Sequence, residues 1–262
     1  MLRIFIANTI FFSALILVGC SPQSNESAKG QESNESKDPI QWSYQGETGP
    51  ENWHLLSEEF KDCAGTHQSP INIITSETRE ADTKQSLKIN YDTINVKVKN
   101  TGKTIKAYID NNGNRNTALI NDKDYTLLQF HFHTPSEHKV DNKSFPAELH
   151  FVHQNNDSLA VIGVFIIEGQ HNPELEKLLS ALNNKQHEAS INVLNLMPQN
   201  LSYYNYKGSL TTPPCSEIVN WYVLIHPIEA SKEQLEELHK IMGNNARPTM
   251  PLNNRIVWRF VL

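Results

Sequence analysis

The sequence predicts a mainly β domain of the α+β class, with a few short helices at its periphery. Three features carry this. Apolar and polar residues alternate at period two over much of 71–109, and again over 127–133 and 147–153, the pattern of strands with one buried face. Residues 159–167 form an unbroken apolar run, consistent with a strand covered on both faces and therefore central. Only two stretches space their leucines as helices do, one after Pro173 and one after Ser231.

At the start of the chain, residues 1–19 carry a single charge, Arg3, ahead of an apolar run from Ile4 broken only by Asn8, Thr9 and Ser13. This is the composition of a signal peptide. Leu17-Val18-Gly19-Cys20 resembles the bacterial lipoprotein box, in which the cysteine is lipidated and becomes the first mature residue. The next stretch is mostly Ser, Asn, Glu, Gln and Lys and buries too little to offset its ordering entropy, so it reads as a tether. The expected organisation is a signal peptide over 1–19, a lipidated, disordered tether over 20–40 and a folded domain over 41–262. That places the domain outside the cytoplasm, in the periplasm or on the cell surface, with a bacterial membrane as partner through lipid on Cys20.

The domain opens on Trp42, Tyr44, Trp53 and Phe60 among Gly46, Gly49 and Pro50, an irregular segment held by aromatics. Strands follow around Leu87 and Ile89, around Ile94, Val96 and Val98, and around Ile105, Ala107 and Ile109. Asn100-Thr101-Gly102-Lys103 and Asn111-Asn112-Gly113 have the composition of tight turns between them. Beyond the central run, Asn172 caps a helix with Pro173 at its first position and a stripe of Leu175, Leu178, Leu179 and Leu182. Tyr203 leads into a rigid loop at Thr211-Thr212-Pro213-Pro214, and a strand over 218–225 contains Trp221. Ser231 and Gln234 make a capping box for a helix with Leu235, Leu238 and Met242 on one side and Gly243 at its end. Pro248 and Pro251 break the chain again before 256–261. His171, His187 and His239 sit on or beside polar segments and carry no role.

The chemistry lies in the two strands at 127–133 and 147–153, most simply an antiparallel pair. His131 and His133 share a face with Gln129, while Phe130 and Phe132 point the other way. In the second strand Glu148, His150 and Val152 share one face, and Leu149, Phe151 and His153 share the other. Three imidazoles from two adjacent strands suit a tetrahedral zinc ion that keeps its fourth position for water. His150 or His153 completes the set. His150 is favoured, because Glu148 on its face can fix its tautomer, as Gln129 can for His131.

These residues carry a resemblance. Gln129-Phe130-His131-Phe132-His133, Ser136-Glu137-His138-x-Val140-Asp141, Ala147-Glu148-Leu149-His150-Phe151-Val152-His153 and Gly208-Ser209-Leu210-Thr211-Thr212-Pro213-Pro214-Cys215 resemble the alpha-class carbonic anhydrases. Gln68-Ser69-Pro70-Ile71-Asn72-Ile73, Trp42-x-Tyr44 and Gly49-Pro50-x-x-Trp53 extend the likeness over 41–262. It implies a large, mixed but mostly antiparallel central sheet with the metal at the base of a cone-shaped cleft. It also implies one Zn2+ per chain on His131, His133 and His150, and reversible hydration of carbon dioxide to bicarbonate by attack of a zinc-bound hydroxide. Thr211 would accept a hydrogen bond from the hydroxide and donate its own hydroxyl hydrogen in one to Glu137. Thr212 would line the mouth, and Val152, Val161, Leu210 and Trp221 the apolar wall. With Cys20 taken by lipid, Cys63 and Cys215 are expected to pair as a disulfide in an oxidising compartment. Where fast members of the family place a proton-relaying histidine, this chain has Lys103; lysines ordinarily titrate near ~10.4 and histidines near ~6.5, so the exchange predicts slower proton export at neutral pH.

Composition sets outer limits. With 38% hydrophobic and 20% charged residues, the 262-residue chain is an ordinary globule. Its formal net charge of −6 argues against nucleic acid as a partner. The sequence leaves oligomeric state open, a homodimer included. Two other activities share the same residues: a zinc hydrolase of esters or amides, which calls for a broader, partly polar cleft, and a metal-free binding module on the same fold, which fits relatives lacking one of the three histidines.

Overall fold

The computed structural model describes residues 40–81, 87–109, 115–156 and 158–262. Asn111-Asn112-Gly113, Cys20 and the segments expected to form the signal peptide and most of the tether lie outside them. The described chain runs β1 (Asn72–Ile73), β2 (Arg79–Glu80), β3 (Lys88–Asn90), β4 (Thr93–Asn100), β5 (Ile105–Ile109), β6 (Thr117–Ile120), β7 (Lys123–His133), β8 (Lys139–Val140), β9 (Ala147–Asn155) and β10 (Ser158–Glu168). Beyond these come β11 (Glu188–Asn192), β12 (Tyr203–Gly208), β13 (Val219–Leu224), β14 (Ile228–Ala230) and β15 (Trp258–Phe260). The α-helices are α1 (Trp53–Leu56), α2 (Pro173–Asn183) and α3 (Lys232–Met242).

Thirteen strands form one sheet in the order β11-β4-β5-β7-β9-β10-β13-β12-β15-β2, with β6 joining β7 to β3 and β14 extending along β10. The pairs are antiparallel except β10 with β13, β10 with β14, and β15 with β2. β10 is central, as its unbroken apolar run requires. Ala160, Ile162, Val164 and Ile166 point into the larger core, beside Leu175, Leu178 and Leu179 of α2 and Leu238 of α3. Val161 and Phe165 point to the opposite face, into a smaller cluster with Val152, Trp221 and Val223. A strand with apolar neighbours above and below gains nothing from alternation, which is why it carries none.

α2 and α3 start as their caps dictate. Asn172 accepts the N–H groups of Glu174 and Leu175, each at 3.1 Å. Ser231 and Gln234 exchange their capping-box hydrogen bonds, and Gln234 also holds both backbone groups of Asn172, so each helix start braces the other. Gly243 closes α3 at φ 62°, a left-handed position that costs glycine no steric penalty.

Three features depart from the sequence expectation. Tyr203–Gly208 is a full strand paired with β13 and β15. Its Asn and Lys blur the alternation, but Tyr204 and Tyr206 fill the smaller cluster. β6 is only Thr117–Ile120, and β11 holds one large apolar residue, Ile191, so neither shows a period. In β7 a bulge between Leu127 and Gln129 breaks strict alternation: Leu127 pairs with His153 on the core face, while Gln129, two residues on, pairs with Val152 on the other.

Candidate metal centre

The histidines meet on the face opposite the main core. β7 and β9 pair in the register His131↔His150, so these two imidazoles stand side by side, and His133 lies one pleat along. Ring centroids are 5.1 Å apart for His131 and His133, 5.3 Å for His131 and His150, and 4.6 Å for His133 and His150. One nitrogen from each falls within 4.8 Å of the others. His153 points the other way, buried and hydrogen-bonded through Nε2 to the hydroxyl of Tyr91.

Each of the three rings is pinned through one nitrogen. His131 Nδ1–H donates to Gln129 Oε1 at 2.9 Å, His133 Nδ1–H to the carbonyl of Asn245 at 2.8 Å, and His150 Nε2–H to Glu148 Oε1 at 2.9 Å. This fixes the tautomers and leaves Nε2, Nε2 and Nδ1 as lone-pair donors toward one point. Burial pushes all three pKa values down, His133 to about 4, so the rings are neutral, the form that binds metal. His133 Nε2 and Glu137 Oε2 are buried without hydrogen-bond partners in the protein and lie 3.4 Å apart. Orphaned polar atoms of this kind mark the place of a cation. Neutral imidazoles around such a point fit zinc.

A neighbouring cluster of His138, Glu148 and His150 is also close enough to hold an ion, but its valences are spent. Glu148 Oε2 accepts the backbone N–H groups of Glu137 and His138, and Oε1 accepts from His138 Nδ1 at 2.7 Å as well as from His150. The other nitrogen of His138 bonds the Tyr206 hydroxyl, which donates to Ser69. Although burial works against the charge, hydrogen bonds and nearby imidazoles hold the Glu148 pKa well below the usual carboxylate range. The network is a satisfied strut beneath the metal face.

Beside the histidines, the side chain of Thr211 donates to the Glu137 carboxylate, and Arg247 N–H donates to Glu137 Oε1 at 2.9 Å. Burial nevertheless pushes Glu137 up to about 7. Thr212 follows, half-buried, on the loop ahead of Cys215. Val152, Val161 and Trp221 form one cross-strand row that continues from Gln129, and Leu210 packs against the same cluster. The Trp221 ring stands edge-on to His150 at 4.8 Å. Lys103 sits in a tight turn with Gly102 at φ 76°, its ammonium 5.1 Å from the centre of the Trp42 ring. Burial, with the charge of Glu137 second, raises the Tyr44 hydroxyl well above its ordinary pKa.

The loop bearing Thr211 is fixed from below. Cys63 and Cys215 form a disulfide across a separation of 152 residues. Arg247, fully buried, donates to Gln68 Oε1, Ser69 O and Cys63 O and lies over the Trp53 ring. Asn245 joins the metal face to the Lys103 turn: its carbonyl holds His133, its Oδ1 accepts Thr134 N–H, and its Nδ2 donates to the carbonyls of Lys103 and Phe132. The roles of Asn245, Arg247 and Tyr206 escape the sequence reading. Asn245 and Arg247 lie in an irregular stretch with no periodicity, and Arg247 betrays itself only by its burial.

A buried three-imidazole centre with a threonine–carboxylate pair at its side and an apolar wall defines a mononuclear metal enzyme. A sequence profile of the eukaryotic-type carbonic anhydrases matches residues 48–261. The carbonic anhydrase of Pectobacterium carotovorum is 39% identical over 228 residues, covering 84% of this chain and 91% of that protein. That of Neisseria gonorrhoeae is 36% identical over 252 residues, covering 94% and 95%. The structure of the alpha-carbonic anhydrase from Thermovibrio ammonificans in complex with the inhibitor sulfanilamide superposes with a TM-score of 0.77 at 42% identity, covering 84% of this chain and all of that one. The chain belongs to the eukaryotic-type, or alpha, carbonic anhydrase family. Enzymes of this family use zinc, and the histidine triad here can hold it.

Proposed function

We propose that this protein catalyses the reversible hydration of carbon dioxide to bicarbonate and a proton, with zinc held by His131, His133 and His150. The observation that carries the reading is the pinning of three neutral imidazoles, each with one nitrogen free, beside the Thr211–Glu137 pair. Zinc, when bound, lowers the pKa of a coordinated water to about 7 and so supplies a nucleophile at neutral pH. Thr211 donates a hydrogen bond to the Glu137 carboxylate, so its oxygen would be left to accept one from a water or hydroxide at the metal position, which would turn that oxygen's lone pair toward the substrate carbon. Glu137 keeps acceptor character because Arg247 N–H and Thr211 both donate to it. Val152, Val161, Leu210 and Trp221 offer a non-polar molecule a water-poor wall, and Thr212 a polar contact at the mouth. Gln129 and Glu148 hold the rings in register.

The test is a carbon dioxide hydration assay with metal analysis on one sample, with and without sulfanilamide. One zinc per chain and inhibitable hydration support the reading. Zinc with ester hydrolysis but no hydration would replace it with a hydrolase, and no metal with no turnover would leave a binding module.

For proton export, Lys103 stands where the family resemblance expects a relay. Lys103→His should raise kcat several-fold in dilute buffer and leave kcat/KM unchanged; equal kcat values for the two proteins would remove Lys103 from the path. The domain is further inferred to be extracytoplasmic, anchored by lipid on Cys20. The lipoprotein-like box supports this, and so does the disulfide, since such bonds persist in oxidising compartments. Cys20→Ser should abolish lipid labelling, and wild-type protein free of lipid would contradict the anchor.

A further inference from the structure

A single row of side chains crosses four strands of the sheet. Lys99 on β4 pairs with Lys106 on β5, Lys106 with His131 on β7, and His131 with His150 on β9. Directly opposed cross-strand residues share a face, so the row runs from an exposed lysine straight onto the metal centre. Tyr108, in the adjacent row, lies near both ammonium groups, with Lys99 Nζ 5.8 Å and Lys106 Nζ 5.5 Å from its ring centre. Lys106 is half-buried and stands directly opposite His131 in the ladder.

The charge of this row is unbalanced. Among the described residues, no carboxylate lies within ion-pair distance of Lys99, Lys103 or Lys106. Glu188 on β11, in register with Lys97 on β4, faces the far edge of the strip. Glu137 and Glu148 are buried: Glu148 is taken up by His138 and His150, and Glu137 accepts from Arg247 N–H through Oε1 while its Oε2 faces His133 and not the lysines. On a chain of net charge −6, this face therefore presents cations beside the reacting centre. A half-desolvated ammonium exerts a stronger pull than one in bulk water.

We propose that Lys106, extended outward by Lys99, is an anion-positioning residue that draws a small monovalent anion, bicarbonate foremost, to the metal centre beside His131. This rests on the carbon dioxide hydration reading above. Of the two carbon species only bicarbonate is charged, so the lysine acts on one side of the reaction alone. The overall equilibrium ties kcat/KM in the two directions together, and anion affinity is accordingly the decisive measurement.

The test is calorimetric titration of the zinc-loaded protein with potassium thiocyanate, an anion that cannot turn over, and with bicarbonate. Wild type, Lys106→Met, Lys106→Arg and Lys99→Gln are compared, each checked for zinc stoichiometry. Lys106→Met, which keeps the stem and drops the charge, should weaken both anions about tenfold. Lys106→Arg should restore wild-type affinity, and Lys99→Gln should cost about twofold and lose its effect in high salt. If Lys106→Met holds one zinc and binds thiocyanate as tightly as wild type, the lysine is only packing and the proposal is overturned. If wild type itself retains no zinc or hydrates no carbon dioxide, the underlying reading has failed and this assignment falls with it. The two failures are read from different proteins.

Discussion

Glu148 takes hydrogen bonds from two backbone N–H groups and two imidazoles, and its carboxylate has room because Gly163, which pairs with His150 on β10, has no side chain. A Cβ at that position would lie 2.8 Å from Glu148 Oε1, closer than side-chain carbons ordinarily come. Gly163→Ala should therefore push the carboxylate off His150 and weaken zinc binding by about 10- to 100-fold, as measured by chelator competition. Unchanged zinc affinity would show that Glu148 does not orient His150. His153 gives the complementary case. It is buried against Tyr91 on the core face, so His153→Ala should keep zinc while losing about 2 kcal/mol of stability through a broken buried hydrogen bond and a void. Burial depresses the His153 pKa from 6.5 to about 4. The folded protein thus refuses a proton that the unfolded chain accepts. The contribution is fully present above pH 6.5 and is lost as pH falls toward 4, reaching roughly 2 kcal/mol at pH 5. Urea titrations at pH 8 and pH 5 should show wild type losing about that much more than His153→Gln.

At the scale of elements, the segment 209–216 is the part of the site least supported by strand pairing, and it is held instead by the Cys63–Cys215 disulfide and the contacts of Gln68 and Arg247. Cross-linking residues so far apart in sequence contributes on the order of 5 kcal/mol by the chain-entropy account. Replacing both cysteines with serine should lower stability by about 2 to 5 kcal/mol in denaturant titrations and lower kcat/KM, because Thr211 then loses its anchor. A stability unchanged by reductant would contradict the first expectation. The elements themselves differ in how legible they were. β4, β5, β9, β10 and both long helices follow from alternation, apolar runs and caps, because there local pattern and tertiary packing agree. β12 was hidden by its Asn and Lys, and the bulge in β7 by the assumption of unbroken alternation. Strand geometry grouped His131 with His133 but left His150 and His153 as alternatives, and it was Glu148 on the face of His150 that favoured His150. Asn245 and Arg247 were not legible, since what they hold is brought to them by distant parts of the chain.

At the scale of the whole molecule, everything the proposed chemistry uses lies within Ile40–Leu262, which forms one compact unit. The metal face, the Thr211 loop, both cysteines of the disulfide and the 48–261 span shared with the carbonic anhydrases all fall inside it. Among the described residues no helix is long and apolar enough to cross a membrane. The N-terminal 39 residues are then expected to decide where the domain is held and not how it works. Residues 40–262, expressed in an oxidising compartment, should bind one zinc per chain, unfold at the same denaturant concentration as the full chain and keep its kcat/KM within about twofold, because the metal face, the Thr211 loop and the disulfide all lie inside that unit. The two forms should differ in partition: the full chain follows membranes and the shortened one stays in the aqueous phase. A shortened protein that loses zinc or stability would mean that the leading segment packs against the domain and takes part in forming the site.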